Sequence, residues 1–359
     1  MKPLEMILAN AARSLRTIVL SEGADPRVVK AAIEACERGI ARVILVGSEQ
    51  AIGTQLDWLG KERPEPLEIH DPATSPLTDE LALLYHAARK HKGLSLEEAL
   101  RGARQPHIYA ALMVKAGLAD GTLGGACLPT ADIVRTAIQI IGPKPGTKVV
   151  SSFFLMLFCA SHHQKKGAHV FADAGLVVEP DADELAQIAI ASARSFTDLT
   201  GETPRVAMLS FSTRGSADHS AVTKVETATR LVRAADPDLC VDGALQFDAA
   251  FVPEVSAMKA SDSPLGGNAN VFIFPNLEAG NIGYKIAQRI GGAVAIGPIL
   301  QGLAKPANDL SRGCSAEDVL HMIAVTAAQA ERISNEPVRH SPATARSPEV
   351  PPGMTLPPG

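Results

Sequence analysis

The densest group of chemically able side chains lies in Asn308-Asp-Leu-Ser-Arg-Gly-Cys-Ser-Ala-Glu-Asp318. Ser311, Arg312, Cys314 and Asp318 fall within what reads as one loop and the first turn of the next helix. A hydroxyl there can donate to an oxyanion, and a guanidinium can hold a phosphoryl group with two parallel N–H donors. A thiol can attack and a carboxylate can take a proton. A structural duty competes with the last of these roles. Ser315-Ala-Glu-Asp318 fits a capping box, in which Asp318 satisfies N–H groups at a helix start. Capping and chemistry coexist only if the carboxylate also faces a cleft.

Two further arginines stand beside features suited to anions. The glycine-rich stretch Asp120–Ala126 leads to a helix from about Thr130, with Arg135 in its second turn. A strand that ends in glycines and enters a helix presents backbone N–H groups to an anion. Arg89 lies in the basic cluster Ala88–Gly93 at a helix end, where cations also serve simply by facing the helix dipole. His162, His163 and His169 offer imidazoles, but adjacent histidines on a strand diverge and no carboxylate stands at ligand spacing, so no metal is expected. There is no GxGxxG after a strand, no GxxxxGK[ST] and no HExxH, which disfavours dinucleotide, P-loop and zincin chemistry.

Composition narrows the partners. The chain has 359 residues, 46% hydrophobic and 20% charged, which is enough for a large core or two packed units. Lys and Arg total 34 against 39 Asp and Glu, a formal charge of −5, so no basic field is available for nucleic acid. The charge-free runs Ile290–Ala304 and Ser263–Leu277 are too short to span a bilayer and are broken by Gly and Pro, so no membrane partner is expected. Glu5, Arg13 and Arg16 interrupt any signal-peptide core. Five cysteines, odd in number and without CxxC, suit free thiols in a reducing compartment, and a cytoplasmic location is expected.

The elements that must position these residues alternate. Strands are expected at Thr17–Leu20, Arg42–Val46, Val149–Phe158, His169–Ala172, Val206–Phe211, Asn270–Phe274 and Ala293–Ile296. Helices are expected at Pro26–Glu37, Asp79–His91, Ser95–Arg101, Pro106–Lys115, Thr130–Ile140, Asp181–Phe196, Ala221–Ala235, Leu277–Ile290 and Ala316–Ile333. Ser95 with Glu98, Asp181 with Glu184, and Asn276 are cap signals. This alternation predicts an α/β fold with largely parallel sheet. Gly142-Pro-Lys-Pro-Gly146 marks a break. The Pro-, Ser- and Thr-rich segment Asn335–Gly359 reads as a disordered tail.

Taken in order, several stretches resemble the phosphate acetyl/butyryltransferase family, and within it the phosphate acetyltransferases. They are Ser21–Arg27, Ala119–Ile140, Ser210–Glu226, Asp242–Gln246, Asn270–Ala279 and Ala304–Asp318. The resemblance runs from about residue 15 to residue 333, which leaves no room ahead of it for the N-terminal regulatory region some members carry. It implies two α/β domains around an interdomain cleft, isocitrate-dehydrogenase-like. Residues 1–145 with 298–334 would form one domain and 146–297 the other. It also implies a homodimer. The implied reaction is acetyl phosphate + CoA ⇌ acetyl-CoA + phosphate, with CoA as co-substrate and no resident cofactor. Asp318, Ser311 and Arg312 would be catalytic, with Arg135 and Arg89 as substrate-binding partners. Asp318 would take the thiol proton, Ser311 would donate to the oxyanion and Arg312 would hold the phosphoryl group. A carboxylate of ordinary pKa is a weak base for a thiol, and partial burial would strengthen it. The family works through a ternary complex, which sets direct transfer above an acyl-enzyme on Cys314. A butyryl-preferring enzyme and a non-catalytic regulatory domain of the same fold are the alternatives.

Overall fold

A computed structural model describes residues 2–335. The first part runs α1 (Lys2–Ser14), β1 (Thr17–Leu20), α2 (Pro26–Glu37), β2 (Arg42–Val46), α3 (Glu49–Leu59) and β3 (Leu67–His70). It continues with α4 (Thr78–Arg89), α5 (Leu96–Ala103), α6 (Pro106–Ala116), β4 (Gly121–Gly124) and α7 (Thr130–Thr136). The middle holds β5 (Ser151–Phe158), β6 (Gly167–Ala172), α8 (Ala182–Thr200), β7 (Arg205–Leu209), α9 (Ser220–Ala235) and β8 (Cys240–Leu245). Then follow α10 (Phe247–Phe251), α11 (Pro253–Lys259), β9 (Val271–Ile273), α12 (Leu277–Arg289) and β10 (Val294–Gln301). The chain closes with β11 (Ala307–Asp309) and α13 (Ala316–Asn335).

Two sheets result. The first has five strands in the order β11-β4-β1-β2-β3, all parallel. The second has six, β10-β5-β6-β9-β7-β8, parallel from β6 to β8 and antiparallel at β10-β5-β6. The chain enters the second sheet through Gly142–Thr147 and leaves it through Gly302–Pro306. These segments run side by side, with Lys144 N–H donating to the Gly302 carbonyl and Ala304 N–H to that of Gly142. The expected return at residue 298 falls inside β10, which stays paired with β5 as far as Gln301. Strand pairing therefore carries the change of sheet past the cis Gly297-Pro298 bond and into the glycine turn at 302.

One apolar cluster joins the sheets, reaching from Leu20 and Val29 through Val319 and Ile323 to Leu155 and Phe196. The cap signals hold. Ser95 with Glu98 and Asp181 with Glu184 form reciprocal boxes, and Asn276 accepts from Ala279 N–H. Elements with weaker patterns are additions to the expected set: α1, α3, β3, β8, α10, α11 and β11. Apart from α1, which is long and amphipathic, each is short or only partly amphipathic, so its place is set by neighbours rather than by period. Thr130–Ile140 is α-helical only to Thr136 and then makes a π turn at Ala137–Ile141. Asn335 ends α13, and the rest of the expected tail lies outside the described residues.

Candidate active site

In a parallel sheet, ligands gather beyond the carboxyl ends of the strands. Here β11, β4 and β1 are neighbours, so the loops that follow them converge: Leu310–Cys314, Gly125–Pro129 and Ser21–Asp25. Charged side chains fasten the three loops together. Glu22 accepts from the backbone N–H groups of Ala126, Cys127 and Leu128 at 2.6, 2.9 and 2.7 Å. Arg27 donates to the carbonyls of Ala126 (2.9 Å), Arg312 (2.8 Å) and Cys314 (3.1 Å). Asp25 grips the same guanidinium at 2.7 and 3.0 Å, and that contact holds the Asp25 carboxyl down at about 2.

The fastening also revises one expectation. The N–H groups of Ala126, which ends the glycine-rich stretch, and of Cys127 and Leu128 after it are occupied by the chain's own Glu22. Their role here is to join two loops. Gly125, at φ +105°, has no room for a side chain, because a Cβ would lie 2.2 Å from Asp309 Oδ1.

The fastened 310–314 loop and the start of α13 form one wall of a cavity of about 290 Å³. Ser311, Cys314 and Asp318 line it. The capping box is formed: Asp318 Oδ2 accepts from Ser315 N–H and Oγ at 2.8 and 2.9 Å, and Ser315 Oγ accepts from Asp318 N–H. The carboxylate thus caps the helix with one oxygen while its residue borders the cavity. Ser311 is exposed, and its Oγ accepts only a long 3.3 Å bond from Gly313 N–H, so the hydroxyl proton is available to an incoming oxygen. Burial pushes the Cys314 thiol up, which keeps it protonated and poorly nucleophilic.

The opposite wall comes from the second sheet and α12. Tyr284, Lys285 and Arg289 project from α12 beside Phe154 and Gly297. Gly280 allows that helix to close on the sheet, since a Cβ there would lie 2.2 Å from the Asp173 carbonyl. Asn281 donates to the Ala174 carbonyl at 3.0 Å, and Tyr284 stacks on Phe154 with centroids 3.8 Å apart. Lys285 and Arg289 therefore line the same cavity as a hydroxyl and a carboxylate, and Lys285 Nζ donates to Asn281 Oδ1 at 2.6 Å. That layout suits an anionic substrate whose reactive end reaches Ser311 and Asp318.

The sequence model of the family described as "Phosphate acetyl/butaryl transferase" matches residues 3–327. The chain belongs to this family. It is 51% identical to the phosphate acetyltransferase of Paracoccus denitrificans over 92% of this chain and 99% of that one. It is 47% identical to the phosphate acetyltransferase of Acetivibrio thermocellus, over 92% and 98%. A phosphotransacetylase from Streptococcus pyogenes superposes with a TM-score of 0.86 at 43% identity, covering 92% of this chain and 98% of that one. A 4-hydroxythreonine-4-phosphate dehydrogenase from Burkholderia phymatum, at 13% identity, TM-score 0.52 and coverage of 88% and 98%, shares the fold alone.

As a member of the phosphate acetyl/butaryl transferase family, the chain can be compared with the site read from its sequence. Ser311 and Asp318 line one cavity, whereas Arg312, exposed and with its carbonyl held by Arg27, is not among the described residues that line it. Arg135 lies on α7, exposed and paired with Asp132 at 2.7 Å. Arg89 ends α4, half-exposed, and neither arginine is among the described residues that line this cavity. Arg27, Lys285 and Arg289 were missed. Arg27 was legible as the last residue of the Ser21–Arg27 match, whereas the two cations of α12 have no motif beyond helical spacing. The histidines serve structure. His162 and His163 both reach the Gly291 carbonyl, and His169 packs among Phe158, Phe251 and Phe272. Among the described residues no helix is long and apolar enough to cross a membrane.

Proposed function

We propose that this chain is a phosphate acetyltransferase that moves an acetyl group between acetyl phosphate and CoA by direct thiolate attack in a ternary complex. The observation that carries this reading is one cavity lined by Ser311 and Asp318 and, from α12, by Lys285 and Arg289. The names of the close relatives agree with it.

The chemistry follows from that layout. The Asp318 carboxylate takes the CoA thiol proton through the oxygen not used for capping. An unperturbed thiol has a pKa of about 8.5, so a nearby acceptor raises the thiolate fraction at neutral pH. Sulfur attacks the acetyl carbonyl carbon, and the charge gathering on oxygen receives the Ser311 hydroxyl proton as a hydrogen bond. One such donor is worth roughly 3 kcal/mol at the transition state. Collapse forms the thioester and expels phosphate, whose charge Arg312 neutralises through paired N–H donors. Lys285 and Arg289 hold the diphosphate of CoA, and Arg135 and Arg89 are further basic partners for the anionic substrates. No resident cofactor is needed.

In the second reading, Cys314 itself carries the acetyl group; its burial and raised pKa disfavour this. A homodimer in the cytoplasm completes the proposal. The outer face of α12 supports the dimer, since Ile282, Ile286 and Ile290 are exposed in a row at helical spacing and a second copy would cover them. Sedimentation of the intact chain tests this. The deciding experiment for the activity compares kcat/KM for acetyl, propionyl and butyryl phosphate with CoA. Highest efficiency with acetyl phosphate is expected. Preference for butyryl phosphate would overturn the acetyl assignment, and inactivity with all three would overturn the enzyme reading in favour of a regulatory domain.

A further inference from the structure

Asp309 takes no part in the chemistry derived above, yet it is the most deeply buried acid beside the site. It is the last residue of β11 and only 1% exposed. Its Oδ2 accepts from Thr130 Oγ at 2.7 Å, and Thr130 is the first residue of α7. Its Oδ1 is buried with no hydrogen-bond partner among the described residues and lies against Gly125. Leu310, next in the chain, donates its N–H to the Gly124 carbonyl, and Ser311 follows. Asp309 therefore connects the helix that carries Arg135 to the loop that carries Ser311 and Arg312.

α7 lacks the usual anchor at its start. Its N-cap is Pro129, which supplies no side-chain acceptor. The 2.7 Å bond to Asp309 is a side-chain tie between the first turn of α7 and the end of β11. Backbone pairing fixes β11 against β4, but it cannot fix the helix that leaves β4 six residues later.

We propose that Asp309 is a positioning residue whose carboxyl sets the distance between the Arg135 helix and the Ser311–Arg312 loop. This rests on the acyl-transfer reading of that loop for its kinetic consequences, and on nothing but the geometry for its structural ones. Burial pushes the Asp309 carboxyl up to about 7, with the Glu22 charge adding to the rise and the Thr130 hydroxyl opposing it. A carboxyl raised this far is in part protonated near neutral pH, which lessens the charge that the buried tie to Thr130 must hold.

The test uses Asp309→Ala, Asp309→Asn and Thr130→Val in the full chain. Hydrogen exchange of residues 125–135 and 310–315 reads the tie without any substrate. Asp309→Ala and Thr130→Val are expected to speed exchange in both segments together by about tenfold, and Asp309→Asn, which keeps an acceptor for Thr130, is expected to restore protection. In thioester formation the first two should lower kcat by about tenfold or more, with KM for CoA changed by no more than about twofold, and the asparagine variant should recover most of kcat. Unchanged exchange in Thr130→Val would overturn the tie even if Asp309→Ala fails to fold. Intact exchange protection with lost activity in Asp309→Asn would overturn the positioning role in favour of direct chemistry. Because exchange needs no turnover, a wild-type chain inactive on acetyl phosphate would sink the acyl-transfer reading and still leave the tie decided.

Discussion

The two walls of the cavity are built by different means. On the first wall, backbone and charge do the positioning: three loops at the ends of parallel strands are fastened by Glu22, Arg27 and Asp309 through bonds of 2.6–3.1 Å. On the second wall, packing does it: α12 lies close to the sheet because of Gly280 and the Tyr284–Phe154 stack, and its cations simply ride on the exposed side. A wall made of several part-buried bonds that share Glu22 and Arg27 is stiff, since losing one side chain leaves several backbone groups unpaired at once. A helix held by an aromatic contact, close-packed glycines and the Asn281 bond to the Ala174 carbonyl keeps exposed long side chains that can adapt to a ligand. The difference assigns reacting-atom geometry to the first wall and substrate capture to the second.

That division can be broken most directly at Asp318. Asp318→Asn should lower turnover by about a thousandfold, within the range of a lost general base, while KM for CoA moves by less than about threefold. Asparagine still caps the helix, so the melting temperature should hold, and a normal kcat would refute the base assignment. Next in size is Arg27→Ala, which frees the Arg312 and Cys314 carbonyls and the Asp25 charge together. A drop of about a hundredfold in kcat with a lower melting temperature is expected, and a pure KM effect would show that Arg27 binds substrate instead. The second wall predicts the opposite pattern. Lys285→Ala combined with Arg289→Ala should raise KM for CoA by about tenfold with kcat nearly unchanged, and added salt should shrink the difference between this variant and the parent. Equal losses in kcat would place these cations in the chemistry.

A separate effect, on stability rather than on turnover, concerns acid. His169, buried under three phenylalanines on the second sheet, is held down at about 4 against an ordinary 6.5 by loss of hydration. The folded state therefore resists a proton that the unfolded chain accepts. Stability should be intact above pH 6.5 and fall by about 3 kcal/mol as the pH drops to 4, a dependence that His169→Phe should remove. The Asp25–Arg27 contact has a depressed carboxyl, so its contribution persists to lower pH and disappears only as the pH falls from 3.8 toward 2. Denaturant melts of parent and His169→Phe across pH 7 to 4 separate the two. Parallel curves would mean that His169 is not the group responsible.

Much of this organisation was written locally. Strand periodicity, the Pro26 and Asn276 helix starts and the Ser95, Asp181 and Ser315 boxes depend on residues a few positions apart, and they form as the pattern predicts. The loop with Ser311, Arg312 and Asp318 was legible for the same reason, because its members are neighbours in the chain. Other features were not local. Glu22 and the N–H groups it satisfies are more than a hundred residues apart in sequence, and so are Ser311 and the Phe154 side of the cavity. No spacing rule could show that the N–H groups of Ala126, Cys127 and Leu128 are already occupied, or that Lys285 and Arg289 line the same cavity as Asp318. The sequence by itself determined the strongly patterned elements, their caps and the reactive groups of the 308–318 segment, since these follow from short-range backbone and side-chain preferences. Only the tertiary structure decided which groups share a cavity, which acid is buried to a pKa of about 7 and which N–H groups are already spent. Those outcomes depend on desolvation and on contacts that exist only after distant strands have paired.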